Sequence, residues 1–265
     1  MSKIIQLTTR ALLSVRGPDA VGLMQGLVTN DIRRLKEAKL MAAFLLNTKG
    51  RIVEDLLIYN HDEGLLVECS SKHRGELKQI LEKYKMRKQA EITESEDAIF
   101  YSSAPTNLPD PRTAGLGFRL IGKHTANAPI EEYTNFRFSV GVAEGKEELD
   151  DMLPFQANGD ILQYVSLDKG CYIGQELTAR TAHTGVIRRR IIPFTCDEKL
   201  APSGEVLDDE GRKVGATVAS TNGAGLALLQ LNSTGRTLSV DKHPIVPHRP
   251  AWMPEKYYAT NSEKK

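Results

Sequence analysis

The chain contains 265 residues, 40% of them apolar and 26% charged, a composition typical of a globular protein with one large domain or two smaller ones. Its 35 basic and 34 acidic residues give a net charge of +1, so no long-range field favours nucleic acid or an anionic membrane. The sequence lacks an apolar run of about 18 residues, which excludes a helix that spans a membrane.

The first third of the chain alternates between strand and helix patterns. Residues 1–18 have the basic, acid-free composition of a mitochondrial presequence, yet LTTRALLSVRG alternates apolar positions before a Gly-Pro turn, which favours a strand. Apolar residues at helical spacing predict a short helix from Asp19 to Val28 and a longer one at 72–84. Further strands are predicted at 41–46, 51–59 and 64–70, with a hairpin turn at 47–50.

This order favours an α+β domain with an antiparallel sheet, built from ferredoxin-like units and packed helices, over a doubly wound parallel sheet. Beyond it, the sequence predicts a strand at 115–121, a helix at 130–140 and an acidic loop at 145–151. From residue 186, short apolar runs separated by Asp-Glu-Gly and Asn-Gly turns predict a small β-barrel or meander. The polar tail from Trp252 is predicted to be flexible.

The three cysteines, Cys69, Cys171 and Cys196, are far apart and form neither a CxxC motif nor a Cys/His ligand pair. This pattern argues against a disulfide framework and a self-contained zinc site, and it indicates a reducing compartment. Because one cysteine cannot complete the coordination shell of an iron-sulfur cluster, metal binding through a single thiolate needs ligands from a partner or a small molecule.

Residues 169–190, the signature segment, look least like ordinary packing because they place Cys171 among glycines, a Gln-Glu pair and several arginines. The flanking glycines leave little bulk around the sulfur, which suits a thiol that other molecules reach. A helix predicted at 172–181 would put the cysteine at the positive end of the helix dipole, a position typical of reactive thiols. The alternative is a buried, inert cysteine, the usual state of a lone intracellular one.

The run Lys-Gly-Cys-Tyr-Ile-Gly-Gln-Glu, continued by Leu-Thr-Ala-Arg-Thr, closely resembles the signature of the folate-binding YgfZ proteins, especially their mitochondrial iron-sulfur cluster assembly branch. The wider superfamily includes the aminomethyltransferase, or T-protein, of the glycine cleavage system. The resemblance implies a T-protein-like, folate-binding α+β domain at 1–185, a C-terminal β domain at 186–251 and a flexible tail at 252–265. The signature residues are Lys169, Gly170, Cys171, Gly174, Gln175, Glu176 and Arg180.

The hairpin also resembles the aminomethyltransferase pattern, in which an Asp followed four residues later by a Tyr faces the folate. Asp55 and Tyr59 match that pattern, with Asn47 in the preceding turn. Both share one face of a strand, so they could line one cavity; alternatively, Asp55 satisfies a backbone group and Tyr59 packs in an ordinary sheet. Arg137 matches the Arg-x-Glu-x-Gly motif, but Ser139 replaces its Glu, which removes a charged hydrogen bond worth roughly 1.5–3 kcal/mol.

The arginines of the signature segment at 180, 188, 189 and 190 form a local basic group. On a strand at 186–192, Arg188 and Arg190 would share one face and Arg189 the other, so they do not form the continuous stripe that nucleic acid favours. A folate polyglutamate tail or an acidic partner surface would also suit these side chains.

Two functions follow from the resemblance. The preferred one is an accessory factor for maturation of 4Fe-4S proteins in the mitochondrial matrix, in which Cys171 is a thiolate ligand of a 2Fe-2S cluster shared with an A-type scaffold protein. The alternative is a tetrahydrofolate-dependent one-carbon transferase of the aminomethyl type, with Cys171 as catalytic nucleophile or redox thiol. Because fold does not determine function, enzymatic activity stays open, and a non-catalytic assembly role is favoured.

Overall fold

The structure is a computed structural model that describes residues 2–61 and 64–258. Its α-helices are α1 (Ala20–Gln25), α2 (Arg74–Lys85), α3 (Ile130–Val140), α4 (Lys146–Leu149) and α5 (Gln175–Thr184). Its strands are β1 (Ile4–Gln6), β2 (Arg10–Arg16), β3 (Leu40–Leu46), β4 (Ile52–His61), β5 (Gly64–Ser70), β6 (Glu91–Ser95), β7 (Ile99–Ser102), β8 (Phe118–Ile121), β9 (Arg189–Thr195), β10 (Glu205–Leu207), β11 (Lys213–Ser220), β12 (Gly225–Gln230), β13 (Leu238–Val240) and β14 (His243–Pro247).

A five-stranded antiparallel sheet in the order β3-β4-β5-β2-β6 organises the N-terminal part. Helices α1 and α2 both contribute buried side chains to the core on one of its faces. All seven side chains of β3 are buried because apolar cores cover both faces, which explains its continuous apolar run. The predicted hairpin, third strand and amphipathic helix are confirmed, and the order strand, helix, three strands, helix, strand resembles a ferredoxin-like unit with one extra strand.

A second, three-stranded sheet has the order β1-β7-β8. Together with α3 it contributes to the apolar core on the other face of the five-stranded sheet. Helix α3 has the predicted bounds because Gly141 ends it with φ +84 and donates its N–H to the carbonyls of Arg137 and Phe138. The predicted acidic loop at 145–151 needs correction, since its first residues form the one-turn helix α4. Acids in the first turn of α4 face the positive end of the helix dipole and stabilise it.

The C-terminal strands close into a six-stranded barrel in the order β10-β11-β12-β9-β14-β13, which resolves the choice between barrel and meander. Closure removes the unpaired edges that a meander would expose. The first barrel strand begins at Arg189, near the expected boundary at residue 186. Ile191 and Leu226 of the barrel belong to the same apolar core as the two sheets, so the barrel is packed against the N-terminal part.

The prediction of a flexible tail is wrong for residues 252–258, which pack against the rest of the structure. The Trp252 indole donates a 2.7 Å hydrogen bond to the carbonyl of Val140 at the end of α3, and Met253 is fully buried in the barrel core. Burial of these apolar side chains outweighs the polar character of the segment. Residues 259–265 of that prediction lie outside the described residues. Within the described residues, no helix has the length and hydropathy that crossing a membrane requires.

Candidate signature site

Cys171 lies in the loop that precedes α5, and it is exposed. The helix begins at Gln175, three residues later than predicted, because Gly174 adopts a left-handed conformation with φ +74 just before it. Gly185, with φ +66, ends the helix at its other side. The cysteine is therefore four residues before the start of α5, rather than directly before it as predicted, and the alternative of a buried cysteine is excluded.

Lys169 anchors the loop of residues 169–174, called here the signature loop. Its side chain turns inward, and the ammonium donates hydrogen bonds of 2.8, 2.5 and 2.9 Å to the main-chain oxygens of Gln25, Val28 and Asn30, at the end of α1 and in the segment that follows it. The centre of the Tyr172 ring lies 4.8 Å from the same nitrogen and forms a cation–π contact with it. Burial lowers the pKa of Lys169 to about 8. This lysine thus fixes the start of the loop to the N-terminal part.

The hairpin turn between β3 and β4 holds the other end of the signature loop. A Cβ atom on Gly174 would lie 2.3 Å from the carbonyl oxygen of Asn47, and one on Gly50 would lie 2.8 Å from the carbonyl oxygen of Gly174. Only glycines allow this contact. The Asn47 side chain, predicted to face folate, instead accepts hydrogen bonds from the backbone N–H groups of Lys49 (2.9 Å) and Arg51 (3.1 Å) and shapes the turn.

The remaining signature residues are half-buried or exposed. The Gln175 side chain accepts a 3.3 Å hydrogen bond from the backbone N–H of Tyr172, across the loop that contains the cysteine. Glu176 and Arg180 form an exposed 3.1 Å ion pair one turn apart on α5, a solvated pair of small energetic value. The exposed side of the site therefore consists of Cys171 and the charged face of α5.

Cys171 differs from the other two cysteines in accessibility. Cys69 is buried in β5, and burial raises its thiol pKa to about 12. Cys196 is buried at the end of the barrel strand β9, and burial also raises its pKa. Because a thiolate is the form that binds metal, buried thiols of raised pKa are poor ligands. Cys171 is the cysteine that another molecule can reach.

Asp55 and Tyr59, predicted to face folate, lie in a buried network of charges. The Asp55 carboxylate is fully buried and accepts hydrogen bonds from the Arg10 guanidinium (2.9 Å) and the backbone N–H of Gly145 (2.8 Å). The Tyr59 hydroxyl, also buried, donates to the carboxylate of Glu68. Both side chains thus have charged partners, while the second carboxylate oxygen of Asp55, Oδ2, is buried without a hydrogen-bond partner among the described residues.

The buried network continues toward the second sheet. Arg112 bridges the carboxylates of Asp110 and Glu144, each at 2.7 Å, and Arg119 lies 3.1 Å from the same Glu144. Burial opposes ionisation of Glu144, but the neighbouring arginines, first Arg112, outweigh it and hold the pKa of that carboxyl well below its usual range. The sequence gives little sign of this network because its members are scattered along the chain and meet only when the two sheets pack.

Arg137, the fourth residue predicted to bind folate, also has internal partners. Its guanidinium forms two hydrogen bonds of 2.7 and 2.6 Å with Glu148 and a third, of 2.7 Å, with the carbonyl of Val142. It lines a polar cavity of about 350 Å³, which neither Asp55 nor Tyr59 reaches. Ser139 lies on the exposed side of α3. Of the four residues predicted to bind folate, Arg137 alone lines this cavity, so the folate site stays a prediction.

Known proteins share this architecture. The GCVT N-terminal domain model matches residues 2–101, and the model of the CAF17 C-terminal beta-barrel domain matches residues 188–255. The solved structure of glycine cleavage system aminomethyltransferase T from Bartonella henselae covers 97% of this chain and 88% of its own, with a TM-score of 0.72 and 13% identity. These matches define the class of the protein as T-protein-like, and they confirm the predicted α+β fold with its C-terminal barrel.

Closer relatives identify the family. The mitochondrial iron-sulfur cluster assembly factor IBA57 of Homo sapiens is 34% identical over 271 residues, which cover 84% of this chain and 76% of that protein. Its Mus musculus counterpart is 32% identical over 274 residues, with 85% and 76% covered. The chain belongs to the IBA57 family. The predicted membership of the mitochondrial branch is confirmed, since these relatives are named as mitochondrial.

Proposed function

We propose that this protein is an accessory factor in the maturation of mitochondrial 4Fe-4S proteins, and that it acts with an A-type scaffold protein. Cys171 supplies one thiolate to a 2Fe-2S cluster that the two proteins share. The observation that carries this proposal is the exposed sulfur on a loop held at both ends, in a chain whose other two cysteines are buried. The names of the relatives, which are iron-sulfur cluster assembly factors, support it.

Cluster sharing follows from the number of ligands. A 2Fe-2S cluster is held by four protein ligands, usually thiolates, and Cys171 contributes one of them. Cys69 and Cys196 lie on other elements, in separate cores, and cannot join it without unfolding. The partner therefore supplies the other ligands. The thiol loses its proton when the iron-sulfur bond forms, and its place in a fixed loop limits the conformational entropy that binding costs.

A folate-dependent transferase is the less supported function. The fold is that of an aminomethyltransferase, but likeness of fold alone does not define chemistry. Asp55 and Tyr59 already bind internal partners, and Arg137 is paired with Glu148. A reduced folate that binds through Asp55 Oδ1, Tyr59 or Arg137 would have to displace these contacts and leave buried charges unpaired, which is unfavourable. We therefore assign no catalytic step to Cys171.

The proposal is tested by mixing the anaerobic protein with an A-type scaffold loaded with a 2Fe-2S cluster and recording visible absorption and circular dichroism. The wild type is expected to change the spectrum, because one cluster ligand is replaced by the Cys171 thiolate. Cys171→Ala is expected to abolish the change, whereas Cys196→Ala, which alters a buried cysteine, should retain it. A normal spectral change in Cys171→Ala would refute the ligand role of this residue.

A further inference from the structure

A concave outer surface lies where the chain passes from α5 into the barrel. Two cavities, of about 520 and 610 Å³, lie at this linker, and Gly185 and Ile187 line both of them. Leu167 lines the first and Val186 the second, and each of these side chains is 60% exposed. Two large, exposed apolar side chains beside concave surfaces are typical of a site that binds another protein. We call this surface the linker groove.

The charges of the linker groove are mainly positive. Its one acidic lining residue, Asp160, is neutralised by the buried Arg190 through two hydrogen bonds of 2.7 Å. Arg188 and Arg189 line the larger cavity and are exposed, and neither forms an ion pair with any carboxylate of residues 2–61 or 64–258. Unpaired arginines around an apolar surface favour a partner that presents carboxylates around an apolar side chain.

The linker groove and the candidate site are connected through the segment from Leu167 to α5. Leu167 stands four residues before Cys171, and Thr181 of α5 lines the same cavity as Leu167. A protein bound there would therefore contact both flanks of the segment that presents the thiol.

We propose that the linker groove is the docking surface for the scaffold protein, which packs apolar side chains against Leu167 and Val186 and places carboxylates against Arg188 and Arg189. This inference rests on the proposed function. The groove provides the affinity for the scaffold protein, whereas Cys171 produces the change in the cluster spectrum. The two contributions are separable because the groove residues supply contact area and charge, and the cysteine supplies the bond to iron.

The test is a titration of the anaerobic protein with 2Fe-2S-loaded A-type scaffold, followed by visible circular dichroism. Leu167→Asp and Val186→Asp are each expected to raise the half-saturating concentration at least tenfold while reaching the wild-type spectrum at saturation. Val246→Asp is the matched control, because Val246 is 63% exposed on β14 and lines neither cavity. It should titrate like the wild type, and all variants should melt at the wild-type temperature.

The double variant Arg188→Glu with Arg189→Glu tests the charge component. It is expected to raise the half-saturating concentration. For the wild type this concentration should rise with salt, and in the double variant that salt dependence should disappear. Saturation of Leu167→Asp and Val186→Asp at the wild-type concentration would overturn the docking surface, as would equal weakening by Val246→Asp. A wild type that gives no spectral change would instead overturn the proposed function, so the two failures are distinguishable.

Discussion

At the scale of residues, the signature loop shows that a motif can contain mostly supporting side chains. Cys171 is exposed, whereas Lys169 is buried and binds three main-chain carbonyls, and Gly174 permits a close backbone contact. The lysine of the signature is therefore a positioning residue for the thiol. Its three acceptors are the carbonyl of Gln25, the last residue of α1, and those of Val28 and Asn30 in the segment that follows the helix.

Lys169→Met should separate this supporting role from metal binding. The change leaves three carbonyls without a buried donor, so the free energy of unfolding in urea should fall by about 1–3 kcal/mol. The spectral change with cluster-loaded scaffold should become weaker, because the loop that holds Cys171 loses its anchor. Lys49→Met, on the exposed hairpin turn, should be neutral in both measurements. Wild-type stability of Lys169→Met would contradict the anchoring role.

At the scale of elements, the decisive contact is between the hairpin turn at 47–50 and the start of α5. The sequence predicts both elements, and α3 even has the predicted bounds, but α5 begins three residues later than predicted. The reason is that Gly174 has a left-handed backbone and packs against the hairpin turn, a contact between segments that are distant in sequence. Helical patterns alone do not reveal a boundary that a tertiary contact determines.

Two glycines beside Cys171 allow a matched test of this contact. Gly174→Ala would place a Cβ 2.3 Å from the Asn47 carbonyl oxygen at a left-handed φ, so it should lower the free energy of unfolding by about 2 kcal/mol or more. Gly170→Ala meets no atom within 4 Å and should remain close to wild type. The cluster-dependent spectrum should be impaired only in Gly174→Ala. Equal stability of the two variants would show that the turn does not support the loop.

At the scale of the whole molecule, buried charges join parts of the chain that the sequence separates widely. Arg10 connects Asp55 and Glu68 within the first sheet, while Arg119, from the second sheet, contacts Glu144. Removal of one charged side chain would leave its buried partner without an opposite charge. This lowers the stability of the protein more than loss of a surface ion pair does. The network contains Asp55 and Tyr59, for which the aminomethyltransferase resemblance implied folate contact, and Arg119 joins the second sheet to Glu68 of the first.

Glu54, beside this network, should make stability depend on pH. Burial, together with the charge of Asp55, raises its pKa to about 8 from an ordinary value of 4.5. Between these values the folded state retains a proton that the unfolded state releases, so stability falls as pH rises, by up to roughly 1.4 kcal/mol per pH unit. Glu54→Gln should flatten this fall in urea unfolding from about pH 5 to 8. The exposed control Glu131→Gln should leave the slope unchanged, and an unchanged slope in Glu54→Gln would contradict the assignment.

The sequence by itself determined the family, the α+β class and the cysteine of interest, because the signature and the apolar periodicities are local patterns. Tertiary structure alone decided that Cys171 is exposed, that Lys169 faces inward and that Asp55 and Tyr59 are occupied by internal partners. The physical reason is that burial and ion pairing depend on strands and loops far apart in the chain. A matching motif specifies residue types, whereas the packed neighbours decide whether those residues meet a ligand or each other.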